Sequence, residues 1–234
     1  MFLLRPDSAT NNAFIYCLAV AAALFGIDVL FTLAESIHHH TVIFDRYGHV
    51  SRFSEHFHKL VARSQNALRG RWEKFWAAGE PCVTRLLDPE TVIKKIVYAA
   101  TNPVKDRLVE RVHHWPGASS LAAFLHGREM IATRPGHFFR NPGPMPKTVR
   151  LRIVIPSELG PADDVIRQVR AGIDATEKQV AADRDLLAYW KAGYPRSRRT
   201  VHSNTRTAGR GNAGSQVSRH CFHEGPTGCL ASPT

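Results

Sequence analysis

Residues 13–27 are apolar at almost every position, and this run limits the fold more than any other feature. A helix that is apolar all round has no face to offer water, so it must be enclosed on every side. The enclosure is either a protein core or a bilayer. A bilayer span needs about 20 apolar residues, and this run closes at Gly26-Ile27 with Asp28 behind it. A secretory leader needs a basic start and a small-residue cleavage site. Arg5 is offset by Asp7, and no such site follows. The run therefore reads as a core helix over 11–25, capped by Asn11 or Asn12 and stopped at Gly26. The rest of the chain must then supply layers to bury it.

Those layers can be read from the alternation of pattern. Residues 27–33 read as a strand, Ala34-Glu35-Ser36 as a turn and 38–45 as a returning strand, which together make a hairpin. Ser51 then opens a helix to Leu68, with Phe53, Phe57, Leu60 and Val61 on its inner side and Gly70 past its end. Residues 82–87 read as a further strand. Asp88-Pro89-Glu90 starts a helix over 89–101 that Pro103 ends or kinks. The expected class is α+β, an antiparallel sheet with helices packed on it. Residues 134–148 are a Pro/Gly-rich loop, 150–155 alternate as a strand, and 161–192 form an amphipathic helix. The expected organisation is a domain over 1–125, an extension over 126–160, a helix over 161–193 and a disordered basic tail over 194–234.

The charge is distributed unevenly. The formal net charge is +11, which suits a polyanionic partner. Residues 46–74 hold seven Lys/Arg against two Glu. Arg52, Lys59, Arg63, Arg69, Arg71 and Lys74 form a basic set there, and Trp72 adds a ring on which a base can stack. The bland reading of Trp72 and Trp76 is that they seal a core edge. The four cysteines, Cys17, Cys82, Cys221 and Cys229, show no metal spacing, consistent with a reduced, cytoplasmic protein.

His38-His39-His40 precedes the apolar run Thr41-Val42-Ile43-Phe44. In a strand His38 and His40 share one face and His39 takes the other. Two imidazoles on one face can hold a divalent metal, given a third ligand from elsewhere. Three adjacent histidines can equally be a solvated turn. Tyr98 and Asn102 lie four apart on one face of the 89–101 helix. Alone, Tyr98 reads as a half-buried helix tyrosine and Asn102 as a helix cap.

Taken in order, these motifs resemble the single-tyrosine HUH transposases, and within them the REP-associated tyrosine transposases of bacteria. That family has a His-hydrophobic-His strand, a basic helix, a Tyr-Ile-x-x-Asn-Pro-Val-x-x-x-Leu-Val segment and a Trp-Pro-x-x-Ser tail. Here the matching residues are His38-His39-His40, Tyr98-Ala99-Ala100-Thr101-Asn102-Pro103-Val104 through Leu108-Val109, and Trp115-Pro116-Gly117-Ala118-Ser119. The resemblance covers roughly residues 3–155. Ile37 and His39 depart from it, since the family has Asn before the first His and an apolar residue between the two. The family also begins with a strand ahead of its first helix, so a shortened sheet is expected.

The resemblance implies a ferredoxin-like HUH fold and Tyr98 as the nucleophile. It implies Mg²⁺ or Mn²⁺ on His38, His40 and Asn102, and cutting and rejoining of single-stranded or hairpin DNA through a 5′-phosphotyrosine. A monomer or homodimer without a small-molecule substrate is the expected working form, and a catalytically inactive DNA-binding relative is the alternative. A membrane-anchored basic protein is a third, for which the later motifs would be coincidence.

Overall fold

A computed structural model of the chain describes residues 3–78, 81–140 and 142–193. Among these residues there are five α-helices and two antiparallel two-stranded sheets. The expected tail after Tyr194 lies outside the described residues, as do Cys221 and Cys229.

The first helix, α1, spans Ser8–Phe25. Its cap is Asp7, not Asn11 or Asn12: the Asp7 carboxylate accepts from the Thr10 amide at 2.7 Å. Asn11 and Asn12 point outward and tie α1 to later chain, donating to the Pro116 and Thr133 carbonyls. Gly26 closes the helix in the left-handed conformation, as expected. Phe14, Tyr16, Cys17 and Leu18 are fully buried, and each such large side chain contributes about 1.5–3 kcal/mol. By length and composition α1 could cross a membrane. In this fold it is a core helix.

Strand β1 (Ile27–Ala34) pairs antiparallel with β2 (His39–Asp45), with a bulge between Val29 and Phe31. On its other side β1 is bonded to later chain. Ser120 bridges the Thr32 backbone through both its amide and its hydroxyl, Ala34 donates to the Ala118 carbonyl, and the Val29 carbonyl accepts from Val154. Residues 82–87 do not join the sheet as expected; they form no regular element and are mostly exposed. The edge of β1 open to a further strand is already occupied, and Val83 and Leu87 find no core to enter.

Helix α2 spans Val50–Leu68. Ser51 is not its cap. The turn is held instead by Asp45, whose carboxylate accepts from the amides of Tyr47 and Val50. Helix α3 spans Pro89–Lys105, with Asp88 as the expected cap. Pro103 does not end it. The helix runs on to Lys105, with Pro103 buried inside. Pro103 has no amide to donate to the Ala99 carbonyl four residues back, so α3 carries it at the loss of that one bond.

Helix α4 (Leu121–His126) leads to a second hairpin, β3 (Met130–Thr133) with β4 (Thr148–Leu151). This hairpin packs on α1, which places Ala132 and Leu151 of the expected extension over 126–160 in the core. Its second strand is displaced from the expected 150–155. Helix α5 (Ala162–Gly193) packs along α3.

The β1–β2 sheet lies between two apolar cores. One joins Phe14, Phe53, Phe57, Val61 and Ile43; the other joins Ile96, Ala100, Val104, Phe31, Val42 and Phe44. Helices α1 and α2 therefore cover one face of β2, and α3 covers the other. Alternation along β2 assigns His39 to the first face and His40 to the second.

Gly117 fastens the Trp115 segment to β1. A Cβ there would stand 2.3 Å from the Trp115 indole nitrogen and 2.7 Å from the Ala34 carbonyl oxygen. That nitrogen also donates to the Ala34 carbonyl at 2.9 Å, so the ring cannot swing away freely. Gly117→Ala should cost about 1–3 kcal/mol, the usual penalty for overpacking. A urea midpoint unchanged from wild type would refute that packing argument.

Candidate metal and nucleophile site

The turn Ala34-Glu35-Ser36 folds the chain back so that Glu35 donates its amide to the His38 carbonyl at 2.8 Å. His38 sits just ahead of β2, and His40 is its second residue. Their rings meet edge to face, with Nε2 atoms 3.1 Å apart. One of the two nitrogens must carry the proton that the other accepts.

Helix α3 brings Asn102 and Tyr98 to the same place. Asn102 Nδ2 lies 3.2 Å from His38 Nε2 and donates to Glu35 Oε1 at 3.0 Å. The Tyr98 ring centroid is 5.5 Å from that of His40. Tyr98 is 37% exposed. Its hydroxyl makes no side-chain hydrogen bond among the described residues. Lys95 and Lys105 approach the Tyr98 ring, their Nζ atoms 4.9 and 4.8 Å from its centroid. The four expected residues His38, His40, Tyr98 and Asn102 are thus together, 58 or more positions apart in the chain between strand and helix.

The donor set can be tested against a divalent cation. Two imidazole nitrogens 3.1 Å apart have a spacing suited to two ligands of one ion once the proton between them is lost and both rings turn towards a common point. Asn102 presents its amide nitrogen, and a half-turn of the side chain would present Oδ1 instead. That turn would set Oδ1 against Glu35, which accommodates it best as a neutral acid. Burial already pushes the Glu35 carboxyl up, and Asp106 adds to the effect, although His38 and Asn102 pull the other way. Among the described residues no group of three His, Cys, Asp or Glu is arranged to hold a metal.

Sequence reasoning misses Glu35, which is 2% exposed and bonded into the site. By its neighbours alone it reads as a turn residue. A carboxylate three positions ahead of the first histidine, at the mouth of the same hairpin, is the signal that could have found it. Glu35→Leu leaves the Asn102 amide without its acceptor and should cost about 1–3 kcal/mol of stability. Glu35→Gln should cost less, and equal losses for the two would sink this assignment.

His39 has a different partner. It points to the other face, where its Nε2 lies 2.9 Å from His58 Nε2 among Phe14, Phe57 and Trp76. Burial, then the charges of His58, His40 and His38, pushes His39 down to about 3. His40 is pushed down to about 4 by burial, then by His38 and Lys95.

The expected nucleic-acid set is dispersed. Arg52, Lys59 and Arg63 are exposed on α2, on the His39 side of the sheet. Arg52 lies over the Phe25 ring, Arg63 over Phe138, and Lys59 pairs with Glu55. Arg69 is drawn inward to Asp7 and Thr10, and Arg71 pairs with Glu73. Lys74 is exposed. Trp72 is 91% exposed, whereas Trp76 packs on His58 and donates to its carbonyl. The partners that bind this set to the fold are thus residues other than Tyr98, His38, His40 and Asn102. No protein-family model, curated protein or solved structure matches the chain.

Proposed function

We propose that this chain is a DNA-binding, transposase-like protein of the single-tyrosine HUH kind, with a ferredoxin-like sheet shortened to two strands. It would cut and rejoin single-stranded or hairpin DNA in the cytoplasm. The observation that carries the reading is the meeting of His38, His40 and Asn102 beside an exposed tyrosine whose hydroxyl is uncommitted.

In this reading the Tyr98 oxygen attacks the scissile phosphorus as its proton departs. A P–O bond to Tyr98 forms and the bond to the 3′ oxygen breaks. The products are a 5′-phosphotyrosine and a 3′-hydroxyl, the leaving oxygen having gained a proton. The new ester keeps the energy of the old one, so a 3′-hydroxyl can reverse the step. Mg²⁺ or Mn²⁺ on His38, His40 and Asn102 would supply charge neutralisation at the phosphoryl oxygens. Glu35 sets the orientation of Asn102, and Trp72 offers a stacking face to an unpaired base.

A labelled, hairpin-bearing single strand incubated with the protein and Mn²⁺ should give an adduct that survives denaturant. His38→Ala should lower its rate about 10²-fold, comparable with removing one electrostatic stabiliser of a transition state. An undiminished rate in His38→Ala would rule out that residue's role.

The inactive DNA-binding relative is the second reading. It is favoured by one feature: the Asn102 amide nitrogen, not its oxygen, faces His38 while bonded to Glu35. Binding without any adduct would select it.

A further inference from the structure

The basic helix α2 and the Tyr98 site lie on opposite faces of the β1–β2 sheet. A phosphate at Tyr98 therefore needs cations from another element. Helix α3 has two in the right place. Lys95 precedes Tyr98 by three positions and Lys105 follows it by seven, so all three share one helical face. Their ammonium groups stand 4.9 and 4.8 Å from the centre of the Tyr98 ring.

These two lysines differ from the ion-paired cations of the fold. Lys94, the neighbour of Lys95, is paired with Glu90 at 2.6 Å. Arg69, Arg71, Arg111, Arg150 and Arg152 are likewise paired with carboxylates. Among the described residues neither Lys95 nor Lys105 has a carboxylate within salt-bridge distance. Glu35, the buried acid of the site, is engaged by Asn102 and His38. Two uncompensated ammonium groups thus share the surface on which a tyrosine hydroxyl is uncommitted.

We propose that Lys95 and Lys105 form a phosphate clamp that seats a phosphodiester of the polynucleotide backbone against Tyr98. The assignment rests on the function proposed above. Each ammonium offers three donors to the non-bridging oxygens. Held on a helix, they also offset the charge that gathers on those oxygens as Tyr98 attacks. The competing explanation is that the lysines only brace the ring by cation–π attraction, a weak effect at an exposed site. Bracing alone would give a small stability change and no response to anions.

The test uses the full chain with two probes, inorganic pyrophosphate and an oligothymidylate with a hairpin stem. Amine acetylation read by mass spectrometry should show Lys95 and Lys105 protected by either probe, with Lys94 unprotected. The double variant Lys95→Gln/Lys105→Gln should lower the slope of log K against log salt by about 1.4, at roughly 0.7 for each single-strand phosphate that is no longer neutralised. It should slow adduct formation at least about tenfold at saturating DNA, through weaker charge stabilisation in the transition state. Lys95→Arg/Lys105→Arg should restore the slope, and Lys94→Gln should leave slope and rate unchanged.

If wild type forms the adduct but the double Gln variant keeps both slope and rate, the clamp is overturned and the proposed function stands. If wild type binds no DNA, yet pyrophosphate protects both lysines, the phosphate site stands and the proposed function falls. Protection of neither lysine by either probe overturns the clamp.

Discussion

Tyr98→Phe should abolish the denaturant-resistant adduct and leave affinity for single-stranded DNA within about twofold, because under the proposed function only the nucleophilic oxygen is removed. The fold tolerates the change. The hydroxyl makes no side-chain hydrogen bond among the described residues, so no buried partner is orphaned. The ring, which meets His40, Lys95 and Lys105, is retained. Thermal stability should therefore match wild type, which separates lost chemistry from lost structure. An adduct that persists in Tyr98→Phe would mean that another of the five tyrosines is the nucleophile.

Acid should destabilise the protein well before its carboxylates titrate. Folding lowers His39 to about 3 and His40 to about 4, from an ordinary value of 6.5. His58 is lowered as well, by burial. The unfolded chain binds protons that the folded chain refuses, so this stability is complete above about pH 6.5 and lost as pH falls towards 4. Each of His39 and His40 adds up to about 1.4 kcal/mol per pH unit in that window. Between pH 7 and pH 5 the pair should remove about 4 kcal/mol. Glu35 acts with the opposite sign, since its raised carboxyl takes up a proton on folding as acid increases. One such group does not offset three histidines. Urea midpoints in chelator at pH 7, 6 and 5 should fall steadily, and His39→Gln should flatten the fall. A midpoint independent of pH would refute the buried, neutral histidines.

The parts of this architecture legible in the sequence are those set by local rules. The left-handed stop at Gly26, the β1–β2 hairpin and the Asp88 cap each depend on a few adjacent residues. The segregation of His38 and His40 from His39 follows from strand alternation alone. What escapes a sequence reading is decided by partners distant in the chain. Residues 82–87 have the composition of a strand, but Ala118, Ser120 and Val154 already bond to the open side of β1. Glu35 has the look of a turn residue because its partner, Asn102, lies 67 positions away. The charge run over 46–74 is visible, but not that α2 carries it to the face opposite Tyr98. A charge count has no direction; the apolar positions Phe53, Phe57 and Val61 set it by anchoring α2 to α1.

The most direct test of the proposed chemistry is to find where DNA becomes attached. The adduct should be trimmed with nuclease, digested with protease and mapped by mass spectrometry. The expected result is a residual nucleotide joined through its 5′ phosphate to Tyr98, in the peptide beside Lys95, and a free 3′-hydroxyl on the released strand. Attachment at another residue, or a 3′-phosphate linkage, would contradict it.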